Sequence, residues 1–97
     1  MPGFEIIGEE EKKEVNKIFE DGGVLFAHGF DSIRNGKYRV RKFEKKFSEY
    51  LNVNFAQAVS SGTAALKCAL KALDVKPGDE VITQSFNFIA VLENMTS

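Results

Sequence analysis

Residues 9–21, "EEEKKEVNKIFED", place Val15, Ile18 and Phe19 at spacings of three and one, which puts all three on one face of a helix. Acidic residues crowd its first turn, where they suit the positive end of the helix dipole, and Gly22-Gly23 supply a stop. The next stretch, residues 24–36, "VLFAHGFDSIRNG", has no clean period and carries two glycines, which predicts a loop. The period returns in "KYRVRKFEKKFSEYL", residues 37–51. There Val40, Phe43, Phe47, Tyr50 and Leu51 form an apolar stripe with Lys and Arg on the other faces, so a second helix is predicted.

After Asn52 the pattern changes. "NFAQAVS" is short, apolar and bounded by polar residues, and residues 55–59 are predicted as a strand. Ala65, Leu66, Ala69, Leu70 and Leu73 then mark a helical face through residues 63–73, with Lys67 and Lys71 on the wet side. Pro77-Gly78-Asp79 reads as a turn, "EVITQS" at residues 80–85 as a second strand, and "NFIAVLENM" from Asn87 onward as another helix. Strand, helix, strand and helix in that order predict an α/β fold with a parallel pair joined by a right-handed crossover. Ligands in such sheets sit outside the carboxyl ends of the strands, so residues 60–63 and 85–88 are the two loops expected to meet at one site. Two strands make no stable parallel sheet alone, because both faces and both edges need cover. The chain is therefore expected to be one incomplete domain: helices and a loop over residues 1–53, and the start of an α/β domain over residues 54–97.

The totals add constraints. A length of 97 residues allows one domain at most, and the net charge of −1 with intermixed signs gives no footprint for nucleic acid or an anionic membrane surface. The one cysteine, Cys68, rules out an internal disulfide and fits a reducing compartment. The acidic start "MPGFEIIGEEEKKE" lacks the apolar stretch of a signal peptide, and no apolar run approaches the roughly 20 residues that span a bilayer. A cytoplasmic location is the resulting expectation.

Candidate chemistry is concentrated in two loops. In "AVSSGTAALKCAL", Ser61-Gly62-Thr63-Ala64 opens a helix, whose unpaired N–H groups and dipole can hold a phosphate. Gly62 would let an anion approach and the Thr63 hydroxyl would add a donor; the alternative is that Ser60 or Ser61 simply caps the helix. In "QSFNFIA", Phe86 and Phe88 follow a strand, where either ring stacks on a flat heteroaromatic group or both belong to the interior. His28 has no second ligand at metal-binding spacing, and Cys68 reads as a small packing residue. The run "KYRVRKFEKK" holds six cations in ten residues. A solvated helix face accounts for it, with phosphate-bearing partners as the alternative.

Taken together, "GEEEKKEVNKIFEDG", "VRKFEKKFSEYLNV", "AVSSGTAALKCALKALDVKPGDEVITQSFNFIA" and "VLEN" resemble, in order and spacing, the sugar aminotransferases of the DegT/StrS family. The resemblance covers nearly the whole chain and is most specific over residues 58–90. It implies the large domain of the aspartate-aminotransferase fold (fold type I), with a parallel or mixed sheet, and pyridoxal 5'-phosphate (PLP) as cofactor. By this resemblance Gly62, Thr63 and Ala64 would hold the PLP phosphate, Phe88 would stack on the cofactor ring, and Phe86 would remain in the interior.

The resemblance further implies amination of a keto-sugar, nucleotide-linked, with glutamate or glutamine as donor. The setting would be cell-surface polysaccharide or secondary-metabolite sugar synthesis, and the assembly a homodimer. A sugar dehydratase, or an inactive truncated or interaction fragment, are the alternative readings. The family's Schiff-base lysine and the aspartate facing the pyridinium nitrogen lie downstream of residue 97. Lys67, Lys71 and Lys76 match neither, so no catalytic residue is expected here and the chain alone is expected to be inactive. The segment "GGVLFAHGFDSIRNGKYRVR" is also longer than the family's compact "GWLTQGP"-like stretch, which bears on substrate choice.

Overall fold

The structure, a computed structural model, describes residues 3–96. Four α-helices follow in order: α1 (Glu9–Glu20), α2 (Arg39–Leu51), α3 (Gly62–Ala72) and α4 (Ile89–Thr96), with short 3-10 turns at Phe4–Ile6 and Asp31–Ile33. The chain divides into two units, Met1–Ala56 and Gln57–Ser97.

In the first unit, Glu11 of α1 accepts a hydrogen bond from the Gly8 N–H (3.2 Å), and Glu9, Glu10 and Glu11 occupy the electropositive first turn. The helix stops as the glycine pair requires. Gly22 takes φ +105°, and a Cβ placed there would lie 2.3 Å from the Ile33 carbonyl oxygen, so only glycine fits. Gly23 N–H closes the end on the Ile18 carbonyl (2.9 Å). At the end of α2, Asn52 adopts the left-handed conformation (φ 55°) and the Val53 N–H reaches back to the Ser48 carbonyl (2.9 Å).

Ion pairs and a loop, rather than helix-on-helix packing, tie α1 to α2. The Asp21 carboxylate receives Arg39 (2.9 Å) and Lys37 (3.1 Å). Residues 24–36 form the predicted irregular loop, and its organiser is Arg34, 5% exposed. The Arg34 guanidinium donates to the carbonyls of Gly29 (2.6 Å) and Phe26, and lies over the Tyr38 ring at 4.9 Å. Phe26 and Phe30 stack on each other with ring centroids 5.5 Å apart.

Hydrogen bonds from Arg39 first, then Lys37, hold the Asp21 carboxyl below the ordinary carboxylate range. A depressed folded value means that this stabilisation is complete above the unfolded value and is lost as pH falls through the folded one. Protection of the amides in the residue 21–38 segment, relative to their intrinsic exchange rate at each pH, should therefore be constant from neutrality to about pH 4 and fall below it. In Asp21→Asn that acid loss of protection should be smaller; an identical loss in the variant would contradict the tie.

In the second unit, α4 packs on α3. Between them Lys76-Pro77-Gly78-Asp79 makes the predicted turn: the Asp79 N–H donates to the Lys76 carbonyl (3.0 Å) and Gly78 takes φ +96°. Proline second and a positive-φ glycine third is the pattern of a type II turn.

The sheet is where expectation and structure part. Among the described residues there is no strand: residues 55–59 and 80–85, predicted as a parallel pair, are irregular. The physical reason is that strand propensity acts only through partners, and the covering layers a parallel sheet needs do not surround these segments. Phe55 is 90% and Ile82 99% exposed. Two other expectations fail for the same reason. Phe86, expected in the interior, is 93% exposed, and Cys68, expected as a packing residue, is also exposed. One helix pair presents too little surface to enclose them.

Candidate functional site

The first turn of α3 is built by its cap. Ser61 is extended (φ −163°, ψ 164°), and its hydroxyl oxygen accepts the Ala64 N–H (3.1 Å) while its carbonyl accepts the Ala65 N–H (3.0 Å). Of the two readings for this turn, the cap is therefore real. It also leaves something over. The N–H groups of Gly62 and Thr63, the first two residues of α3, have no carbonyl one turn earlier to receive them. Nothing lies within 4 Å of a Cβ built on Gly62, and Gly62 and Thr63 are exposed while Ala64 is half-buried. Two free amides, a hydroxyl and an open approach at the positive end of an eleven-residue helix can hold a tetrahedral anion. The Ala64 amide is already engaged by Ser61.

Phe88 stands immediately before α4 and is 73% exposed. Its backbone is fixed by its neighbours. Asn87 accepts the Phe88 N–H through Oδ1 (2.9 Å) and donates through Nδ2 to the Thr83 hydroxyl (2.9 Å). The Phe88 carbonyl accepts the Val91 N–H (3.1 Å).

The link between the two elements is Asn94, whose side-chain amide donates to the Thr63 carbonyl (3.2 Å). Asn94 follows Phe88 by six residues, about 9 Å along a helix. So α4 reaches the anion-ready turn through Asn94, and among the described residues no hydrogen bond joins residues 85–88 to residues 60–63. Asn87 and Asn94 were missed by pattern reading. An Asx residue just ahead of a helix is a legible signal for Asn87. Asn94 acts across 31 positions and leaves no local sign.

His28 lies exposed in the first unit's loop, and among the described residues no group of three His, Cys, Asp or Glu side chains could hold a metal ion. Among them, too, no helix is long and apolar enough to cross a membrane.

The sequence profile of the DegT/DnrJ/EryC1/StrS aminotransferase family matches residues 5–97. The chain belongs to that family. Among curated relatives, GDP-perosamine synthase of Vibrio cholerae is 39% identical over 80 residues, which is 82% of this chain and 19% of the relative. The spore coat polysaccharide biosynthesis protein SpsC of Bacillus subtilis strain 168 is 41% identical over 83 residues, 86% of this chain and 19% of the relative. A dTDP-4-dehydro-2,3,6-trideoxy-D-glucose 4-aminotransferase of Saccharopolyspora spinosa is 32% identical over 94 residues, 95% and 22%. The chain thus spans about a fifth of the length of these relatives. The family resemblance read from "SSGTAAL", "PGDEVI" and "SFNFIA" agrees with the family assigned.

Proposed function

We propose that this chain is the cofactor-anchoring, N-terminal segment of a PLP-dependent aminotransferase acting on a nucleotide-linked keto-sugar, with glutamate or glutamine as amino donor. The observation that carries the reading is the open first turn of α3 in a chain of this family: Gly62 and Thr63 offer free amides where the cofactor phosphate would sit. PLP supplies an electron sink for chemistry at the carbon bearing the amino group. This chain's residues do the holding. Gly62 and Thr63 take the phosphate, Ala64 completes the turn with its amide fixed by Ser61, and Phe88 lies along the ring. Proton transfer belongs to residues outside this segment.

The same reading includes a fold type I large domain in which residues 55–59 and 80–85 become neighbouring strands once the covering layers are present. That closure would bring residues 60–63 and 85–88 to one sheet edge and cover Phe55, Ile82 and Phe86. It also includes a homodimer, a cytoplasmic setting and a role in polysaccharide or secondary-metabolite sugar synthesis, in keeping with what the relatives are named for.

The test is cofactor affinity in the whole protein. Thr63→Ala, which removes one donor, should weaken PLP binding about tenfold, and Phe88→Ala by a similar factor through lost stacking. Unchanged affinity in both variants would leave Ser61 as a helix cap and nothing more.

A further inference from the structure

The two ends of the proposed cofactor site belong to different helices, and a side chain of one helix grips the other. Phe88 heads α4, whereas the open amides of Gly62 and Thr63 begin α3. Asn94, half-buried in the second turn of α4, donates its side-chain amide to the Thr63 carbonyl (3.2 Å). Regular helix geometry already gives that carbonyl the Lys67 N–H, four residues on. A carbonyl has two lone pairs, so the Asn94 amide takes the second without displacing the first.

The bond falls on a peptide unit that is held from both sides. The Thr63 carbonyl and the Ala64 N–H share one plane. Ser61 Oγ accepts that N–H (3.1 Å), so Ser61 holds the unit from the cap of α3 and Asn94 holds it from α4. The free amides of Gly62 and Thr63 directly precede it. Gly62 has no Cβ to restrain them, so fixing the next peptide unit limits where they point. The head of α4 is set as well, because Asn87 holds the Phe88 N–H and is itself tied to the Thr83 hydroxyl. Packing α4 on α3 would need only an apolar side chain at position 94; the amide adds direction.

We infer that Asn94 is a positioning residue for the cofactor. It fixes the separation between the amides that take a phosphate and the Phe88 that takes a ring. This inference rests on the PLP reading and deepens it. A phosphate joined to a ring by a short bridge engages both anchors at once only when their spacing is right. The gain from correct spacing is that of linking two weak ligands, and it disappears when the geometry drifts. A site with one anchor left has no spacing to lose.

The experiment is a double-mutant cycle on the whole protein, cleared of cofactor and titrated calorimetrically with pyridoxine 5'-phosphate. That probe carries no aldehyde, so no covalent bond to the protein masks the spacing. Asn94→Leu, of similar shape but without a donor, should weaken binding about tenfold. In a Phe88→Ala background the same change should cost less than about twofold, because the ring anchor is already gone. Asn94→Gln keeps an amide donor and should stay within about threefold of the wild type. Protection of the Ala65 amide should be unchanged in all the variants, which separates loss of spacing from loss of the fold. Unchanged affinity in Asn94→Leu overturns the inference. So does an equal loss with and without Phe88, which would make Asn94 a support of α3 alone. A glutamine variant as weak as the leucine one denies the amide its part. If Thr63→Ala and Phe88→Ala weaken binding and Asn94→Leu does not, the positioning role fails and the anchors stand; if the wild type does not bind the probe, both fall.

Discussion

Gly62→Asp should abolish cofactor binding, weakening PLP affinity at least a hundredfold, while leaving the fold intact or slightly more stable. The side chain has room, because nothing lies within 4 Å of the new Cβ and Gly62 is not in a positive-φ conformation. A carboxylate in the first turn of a helix is favoured by the dipole, by about 0.3–1 kcal/mol. Replacing glycine inside a helix also removes a conformational-entropy cost of roughly 0.5–1 kcal/mol. Both local terms favour the variant. A phosphate bound at the same amides meets the opposite effect. Two like charges near 4 Å repel by about 4 kcal/mol at an effective dielectric of 20, and a phosphate dianion feels more. Anchoring and helix stability are thus pushed in opposite directions by one substitution. Cofactor titration and thermal melting on the same whole-protein sample read the two separately. Retained affinity would remove Gly62 from the site.

Arg34→Met should unfasten the loop between α1 and α2. Methionine keeps much of the apolar stem but loses both hydrogen bonds to the Gly29 and Phe26 carbonyls and the stacking on Tyr38. Hydrogen bonds from a charged donor contribute roughly 1.5–3 kcal/mol each, and water can reach part of the freed backbone, so a net loss of about 3 kcal/mol is expected. That corresponds to a local opening equilibrium more than a hundredfold larger. The amides to follow are Ile33 and Lys37, which donate to the Phe30 and Arg34 carbonyls at 3.1 Å each. Their exchange should accelerate by about that factor, and that of Ala65 on α3 and of Leu73 at its C-cap should not change. Arg34→Lys should rescue little, since one ammonium cannot reproduce a planar fork aimed at two carbonyls. Unaltered exchange at Ile33 and Lys37 in Arg34→Met would deny Arg34 its organising role.

The helices were legible because their signals are local. Apolar spacing, the glycine pair after α1 and a serine ahead of Gly62 predicted residues 9–21, 37–51 and 63–73, against Glu9–Glu20, Arg39–Leu51 and Gly62–Ala72 in the structure. The turn at Pro77-Gly78 was legible for the same reason: φ is set by the residues themselves. The strands were not, because "NFAQAVS" and "EVITQS" state a preference that only neighbouring strands can satisfy. The Arg34 pin escaped pattern reading too. Nothing in "FDSIRNG" distinguishes an arginine that turns inward onto carbonyls from one that faces water. At the candidate site, Ser61 and Gly62 were readable from the cap pattern, and the open amides of Gly62 and Thr63 follow from helix geometry. The Asn94 contact to Thr63 was not, since it depends on how α4 meets α3.

Tyr38 has a consequence for how the protein can be watched. The chain has no tryptophan and two tyrosines. Tyr50 is 86% exposed, whereas Tyr38 lies beneath the guanidinium groups of Arg34 (4.9 Å) and Arg41 (4.6 Å) and donates its hydroxyl to Asp31. That hydrogen bond, foremost, raises the Tyr38 phenol above its ordinary range. Within this segment the near-ultraviolet signal therefore divides into a solvent-facing ring and a ring clasped by the loop. Within this segment Tyr38 is thus an intrinsic optical gauge of loop closure, placed where the α1–α2 connection is held together.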